Sequence, residues 1–214
     1  LWVAILVTFS VCTIAQPIRG TVVYQRINSS ALKNNSGGED PRRRISVYLP
    51  PDYAKTTNRY PVIYFLHAFT FDDSLHFLWT EFDVLLDKGI AMGKIRPVIV
   101  VVADNNTLYR GSVFTNSSLT GNWIDYNAKE VVDYIDKTFR TIPDKDARGL
   151  SGHSQGAYGA IKIGMMFPEI FSSVYAMSPS ILGLTKELGV EGIGFKRLQL
   201  YKTREELVSG GEDI

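Results

Sequence analysis

Gly149-Leu150-Ser151-Gly152-His153-Ser154-Gln155-Gly156-Ala157-Tyr158-Gly159 is the stretch on which the reading of this chain turns. Within it, Gly152-His153-Ser154-Gln155-Gly156 follows the pattern Gly-x-Ser-x-Gly. A serine lifted on a tight strand-to-helix turn presents its hydroxyl above the edge of a sheet. The turn is strained and crowded, so the positions two before and two after the serine must be small. Gly152 and Gly156 meet that demand. Five residues alone recur by chance in many proteins. Here an apolar run precedes them and a helical stretch of small residues follows, which is the context of a nucleophile elbow.

Working outward, Ala147 to Gly152 reads as the elbow strand and Gln155 to Phe167 as the elbow helix, closed by Pro168. Phe171 to Met177 reads as a further buried strand. Upstream, Pro61 to Leu66 and Pro97 to Ala103 are continuous apolar runs. Strands without polar alternation are covered on both faces, as in a parallel sheet between helices. Asp72 to Met92 is expected to be one helix, capped by Asp72 or Asp73, with Phe77, Phe82, Leu85 and Leu86 facing inward. Trp123 to Arg140 carries apolar residues at helical spacing: Ile124, Ala128, Val131, Ile135 and Phe139. Thr21 to Ile27 and Arg42 to Leu49 read as an antiparallel edge pair, with Arg42-Arg43-Arg44 as a solvated guard of that edge. The fold class is therefore α/β: a doubly wound, mostly parallel sheet with antiparallel N-terminal edge strands. Its active face is expected on the loops at the carboxyl ends of the strands, namely His67 to Ser74, Asp104 to Asn122, the elbow, and the chain from Ser178 onward.

The 214 residues are enough for one such domain, assigned to 16–214. A net charge of +1 with 21% charged residues gives no case for a nucleic-acid partner or an acidic membrane surface. No zinc spacing, phosphate loop or dinucleotide motif is present, so no metal and no cofactor are expected. Leu1 to Ala15 is uncharged and apolar, and Thr13-Ile14-Ala15 suits cleavage before Gln16. It reads as a signal peptide of a secreted protein, with an uncleaved anchor or a buried strand as alternatives; it is short for a stable membrane span. Cys12, the one cysteine, falls inside it.

A serine hydroxyl needs a base to take its proton, a third group to orient that base, and donors for the oxyanion that develops. One donor is expected to be the backbone N–H of Gln155, the residue after the nucleophile. The other is expected from the loop Leu66-His67-Ala68-Phe69-Thr70, at the Phe69 N–H. His67 lies on the active face, where it is expected to touch substrate rather than act as base. His76 and His153 read as packing or surface residues. All three histidines precede Ser154, whereas the α/β-hydrolase order is serine, acid, histidine. The acid and histidine are accordingly expected beyond Ile214, in a longer chain. Trp123, with Tyr109 and Phe114, reads first as core packing, and as a candidate for a substrate-binding aromatic cleft in the alternative.

The chain resembles the "Putative esterase" family of α/β hydrolases, which holds esterase D-like enzymes, feruloyl and acetyl-xylan esterases, enterochelin esterase and the antigen 85 mycolyltransferases. The resemblance runs from about Arg43 to Pro179. It is carried by Arg44-Ile45-Ser46-Val47-Tyr48-Leu49-Pro50-Pro51-Asp52-Tyr53, by Tyr60 to His67, and by Thr120-Gly121-Asn122-Trp123. Phe139-Arg140-Thr141-Ile142-Pro143 leading to the elbow, and Phe167-Pro168-Glu169 leading to Ser178-Pro179, carry it further. The resemblance implies Ser154 as nucleophile, Gln155 and Phe69 as oxyanion donors, and a small-molecule or carbohydrate-linked carboxylic ester as substrate. Ala68 stands where the family usually has glycine, Gln155 where methionine is common, and Ala157 where a second glycine is frequent. Acyl transfer to another acceptor, and a non-catalytic binding module on the same scaffold, are the alternative functions. Oligomeric state is not indicated.

Overall fold

Ile99 to Ala103 is buried at every residue, as a strand between two helical layers requires. Around it the structure, a computed structural model, describes residues 19–180 together with Thr203, Glu205, Glu206 and Ser209. The leader expected over 1–15, Cys12 and the chain 181–202 lie outside the described residues.

Among the described residues six strands form the main sheet: β1 (Thr21–Asn28), β2 (Arg42–Leu49), β3 (Val62–Leu66), β4 (Ile99–Ala103), β7 (Arg148–His153) and β8 (Ser173–Met177). Their order is β1-β2-β4-β3-β7-β8. The last four are mutually parallel, while β2 runs antiparallel to both β1 and β4. A two-stranded hairpin, β5 (Asn116–Ser117) with β6 (Gly121–Asn122), lies in the loop after β4. This is the mostly parallel α/β-hydrolase sheet with an antiparallel N-terminal margin.

Alternation along the strands feeds two cores. Ile45, Val47, Val62, Tyr64, Leu66, Ile99, Val101 and Leu150 face the layer of α3 (Trp123–Asp125), α4 (Val131–Thr138) and α5 (Gln155–Met166). Tyr48, Phe65, Val98, Val100 and Val102 face α1 (Leu75–Thr80) and α2 (Phe82–Ala91).

Four expectations need correction. The helix expected from Asp72 to Met92 is two helices, broken at Glu81, whose φ of 49° is left-handed. The break resets the helical phase: Phe82, Leu86 and Ile90 now turn inward and Leu85 is 58% exposed. The helix expected from Trp123 to Arg140 ends at Thr138, and a π turn (Tyr126–Glu130) joins α3 to α4. β8 is not buried on both faces, since Val174 and Tyr175 are exposed. Among the described residues β7 is its one neighbour in the sheet, and α5 packs on one side, where a Cβ on Gly164 would lie 2.3 Å from Val174. Finally, β2 is an interior strand, so the arginine run does not guard an edge. Arg42 alone is exposed, beside Asp40, while Arg43 and Arg44 reach into the loops of the active face.

Candidate active site

Ser154 stands alone between the end of β7 and the start of α5, with φ 55° and ψ −116°. An L-residue reaches that region only when its surroundings hold it there. The Ser154 N–H donates to the Met177 carbonyl at 3.0 Å, and its own carbonyl accepts from Ala157, Tyr158 and Ser180 N–H at 3.1 to 3.2 Å. Close packing explains the flanking glycines. A Cβ on Gly152 would lie 2.4 Å from the Gly156 backbone, and one on Gly156 would lie 1.9 Å from the Leu66 carbonyl oxygen. The second contact also seats the N-terminus of α5 against the end of β3, which brings the loop after β3 beside the elbow.

That loop turns sharply at Ala68 to Phe71. The Phe71 N–H donates to the Ala68 carbonyl at 3.1 Å, and Thr70 takes the left-handed position, with φ 62°. Downstream the loop is clamped to β2. Fully buried Asp73 accepts from Arg44 Nε at 2.8 Å and from Ser46 Oγ at 2.6 Å. Asp72 accepts from the Ser74 and Leu75 N–H, each at 2.8 Å, but the N-cap position of α1 is Ser74 rather than Asp72 or Asp73 as expected. Hydrogen bonds to these N–H groups hold the Asp72 carboxyl below its ordinary value against the opposing effect of burial, the largest single influence.

The third wall is the loop after β4. It closes on itself through Ser112 N–H to the Asn105 carbonyl, 3.1 Å. Gly111 sits against the elbow: a Cβ there would lie 2.9 Å from Gln155 Oε1 and 3.4 Å from the Phe69 ring. The structure thus brings Ser154, Gln155 and Phe69 into one corner. Among the described residues, neither the Phe69 nor the Gln155 backbone N–H has an acceptor. The Gln155 N–H also lies at the positive end of α5. Thr70, next to Phe69, lines a cavity of about 470 Å³ together with Glu39, Arg43, Asn106 and Arg110. Its floor is the ion pair of Arg43 with Glu39, 2.9 Å long, whose side chains are 9% and 3% exposed. Burial raises the neighbouring Asp104 carboxyl above its ordinary value, although the Asn106 N–H donates to it and Arg43 lies 3.7 Å away.

Two candidate substrate contacts are corrected. Trp123 is fully buried; its Nε1 donates to Thr120 Oγ1 at 3.2 Å and the Arg43 guanidinium lies 4.7 Å above its ring. It packs the core beneath the loop, as does fully buried Phe114. His67 is 1% exposed. Its Nε2 accepts from the Asn105 N–H at 2.8 Å and its Nδ1 lies 2.9 Å from the Ala68 carbonyl. Both ring nitrogens are therefore used inside the protein, and burial depresses its basicity. His76 stacks on Phe65 with ring centroids 4.1 Å apart, and burial, then the nearby His67 and His153, lower its pKa to about 4. His153 is exposed. Sequence reasoning missed the clamp of Arg44 on Asp73 and the ties of His67, because each joins residues far apart in the chain.

Among the described residues, no group of three or more His, Cys, Asp or Glu side chains is placed to share a metal ion. No helix among them is long and apolar enough to cross a membrane.

Comparison with known proteins agrees with this geometry. The family described as "Putative esterase" matches residues 37–187. An esterase of Mycobacterium tuberculosis strain H37Rv is 30% identical over 159 residues, covering 72% of this chain and 31% of the relative. An endo-1,4-beta-xylanase/feruloyl esterase of Xylanibacter ruminicola is 34% identical over 134 residues, covering 59% of this chain and 18% of the relative. The chain thus spans about a third or less of these two relatives. Among solved structures, a ferulic acid esterase superimposes with a TM-score of 0.67 at 24% identity, covering 76% of this chain and 59% of that one. An S-formylglutathione hydrolase of Agrobacterium tumefaciens gives 0.62 at 20% identity, covering 85% and 69%. These two likenesses establish the fold. With the elbow strained as that fold requires and the family match spanning the sheet from the start of β2 through β8, the chain belongs to the "Putative esterase" family of α/β hydrolases.

Proposed function

We propose that the protein is a serine esterase that cleaves a carboxylic ester through an acyl intermediate on Ser154. The observation that carries this reading is the strained backbone of Ser154 beside two N–H groups, of Gln155 and Phe69, that have no acceptor among the described residues. In the acylation step Ser154 Oγ forms a bond to the ester carbonyl carbon, and a general base takes its proton. The carbonyl oxygen becomes an oxyanion, for which the two N–H groups are the donors. On collapse the C–O bond to the alcohol breaks, and the alcohol leaves with the proton. Water repeats the sequence on the acyl enzyme. The base is a group other than His67, whose nitrogens are both engaged.

The substrate class is read from the relatives. The Xylanibacter relative is named a feruloyl esterase, which supports an ester attached to a carbohydrate or a small molecule. Export is part of the same proposal and rests on the uncharged apolar stretch Leu1 to Ala15.

A fluorophosphonate probe and p-nitrophenyl acetate, applied to the whole protein, test the reading. The wild type should label once and turn over the ester, and Ser154→Ala should do neither. Equal labelling of Ser154→Ala would remove Ser154 from the mechanism.

A further inference from the structure

We infer that His67 is a positioning residue whose imidazole holds the Ala68–Phe69 peptide so that the Phe69 N–H faces the oxyanion. The inference rests on the esterase reading above and assigns a residue that neither touches substrate nor exchanges a proton with it.

The Asn105 backbone N–H can only donate, and it lies 2.8 Å from His67 Nε2. Nε2 must therefore carry the lone pair, and Nδ1 must carry the hydrogen. That hydrogen points at the Ala68 carbonyl, 2.9 Å away. The carbonyl of Ala68 and the N–H of Phe69 belong to one planar trans peptide, so they point in opposite directions. Fixing the carbonyl inward toward the buried ring turns the Phe69 N–H the other way. The Ala68 oxygen also accepts from the Phe71 N–H at 3.1 Å, so a flip of the peptide would break two hydrogen bonds. The cost would fall on a carbonyl and a histidine left unpaired in a buried place.

The ring is itself held from behind. Asn105 Nδ2 donates to the Ala103 carbonyl at 2.9 Å and to Asn127 Oδ1 at 3.2 Å. Asn127 Nδ2 donates to Asn105 Oδ1 at 2.5 Å and to the Trp123 carbonyl at 2.8 Å. Asn127 lies in the π turn, the irregularity that interrupts the long helix. A polar chain thus runs from the π turn through Asn127, Asn105 and His67 to the peptide that carries the donor. Burial keeps the ring neutral, which this pattern of one donor and one acceptor needs.

A histidine that only fills space would have no preference between its amide substitutes. Asparagine places a donor nitrogen near the site of Nδ1, and glutamine places an oxygen acceptor near the site of Nε2. His67→Asn can keep the bond to Ala68; His67→Gln keeps only the bond from Asn105. On p-nitrophenyl acetate, His67→Gln should lose about a hundredfold in kcat, the size of a lost oxyanion donor, with KM within about threefold. His67→Asn should recover at least about tenfold of that loss. The rate of fluorophosphonate labelling should follow the same order. Equal kcat for the two variants, or a loss carried by KM, overturns the proposal. Nitrogen-15 resonances of the His67 ring in the wild type test it without any variant that must fold. A protonated Nδ1 and a bare Nε2 are expected, and the opposite tautomer or an imidazolium overturns it. Failure of the esterase reading looks different: Ser154→Ala would then label like the wild type, whatever His67 does.

Discussion

At the scale of single residues, the site depends on one close backbone approach and one strained backbone conformation. A Cβ on Gly156 would sit 1.9 Å from the Leu66 carbonyl oxygen, and neither partner can yield, since both are main chain. Gly156→Ala is expected to destabilise the fold by about 3 kcal/mol, at the upper end of overpacking costs, as read by urea unfolding. Ser154 offers the opposite case. Its φ of 55° and ψ of −116° are strained for any side chain. Ser154→Gly is expected to stabilise the protein by about 1 kcal/mol, the strain relieved less the entropy that glycine adds to the unfolded chain. Labelling should vanish in the same variant, so a melt and a probe together would expose stability traded for chemistry. These positions were readable from the sequence because a strained, crowded turn admits few residue types. His67 was placed on the correct loop but given the wrong surroundings, while Trp123 packs the core, as in the first of its two readings, against partners that were not readable. A lone histidine or tryptophan carries no periodicity, and its burial is set by partners such as Asn105 and Arg43 that composition does not reveal.

At the scale of elements, the expected strands appeared where continuous apolar runs demanded two-sided cover, except that β8 lacks it on one side among the described residues. Helical breaks were not readable, since Glu81 and the π turn have no proline or glycine to announce them. Glu81 is a glutamate in a left-handed conformation, which costs a side-chain-bearing residue about 1–2 kcal/mol. Glu81→Gly is expected to raise stability by about 0.5–1 kcal/mol, measured by chemical denaturation, without altering labelling. The clamp of β2 on the loop after β3 predicts the reverse. Arg44→Met would leave the fully buried Asp73 carboxylate with Ser46 as its main remaining partner. A loss of about 2 kcal/mol is expected, less than for a pair buried on both sides because the Arg44 side chain is itself 39% exposed.

At the scale of the whole molecule, buried histidines set the response to acid. His67 and His76 both have folded-state pKa values below the ordinary 6.5, with His76 at about 4. Well above pH 6.5 neither the folded nor the unfolded form takes up a proton at these rings, and stability is unaffected. As the pH falls from about 6.5 toward 4, the unfolded chain binds protons that the folded one refuses, so stability must fall. The melting temperature should drop across that window, and His76→Phe should flatten the drop. The sheet order has a consequence in time as well. β4 and β3 pair early in the chain, yet β3 completes its other margin only with β7, where Val62 lies opposite Arg148. Closing so long an intervening chain is slow relative to local helix formation. During refolding, helical signal should return first. Competence to react with a fluorophosphonate should return only with the final phase, because the serine has no elbow until the middle of the sheet has closed.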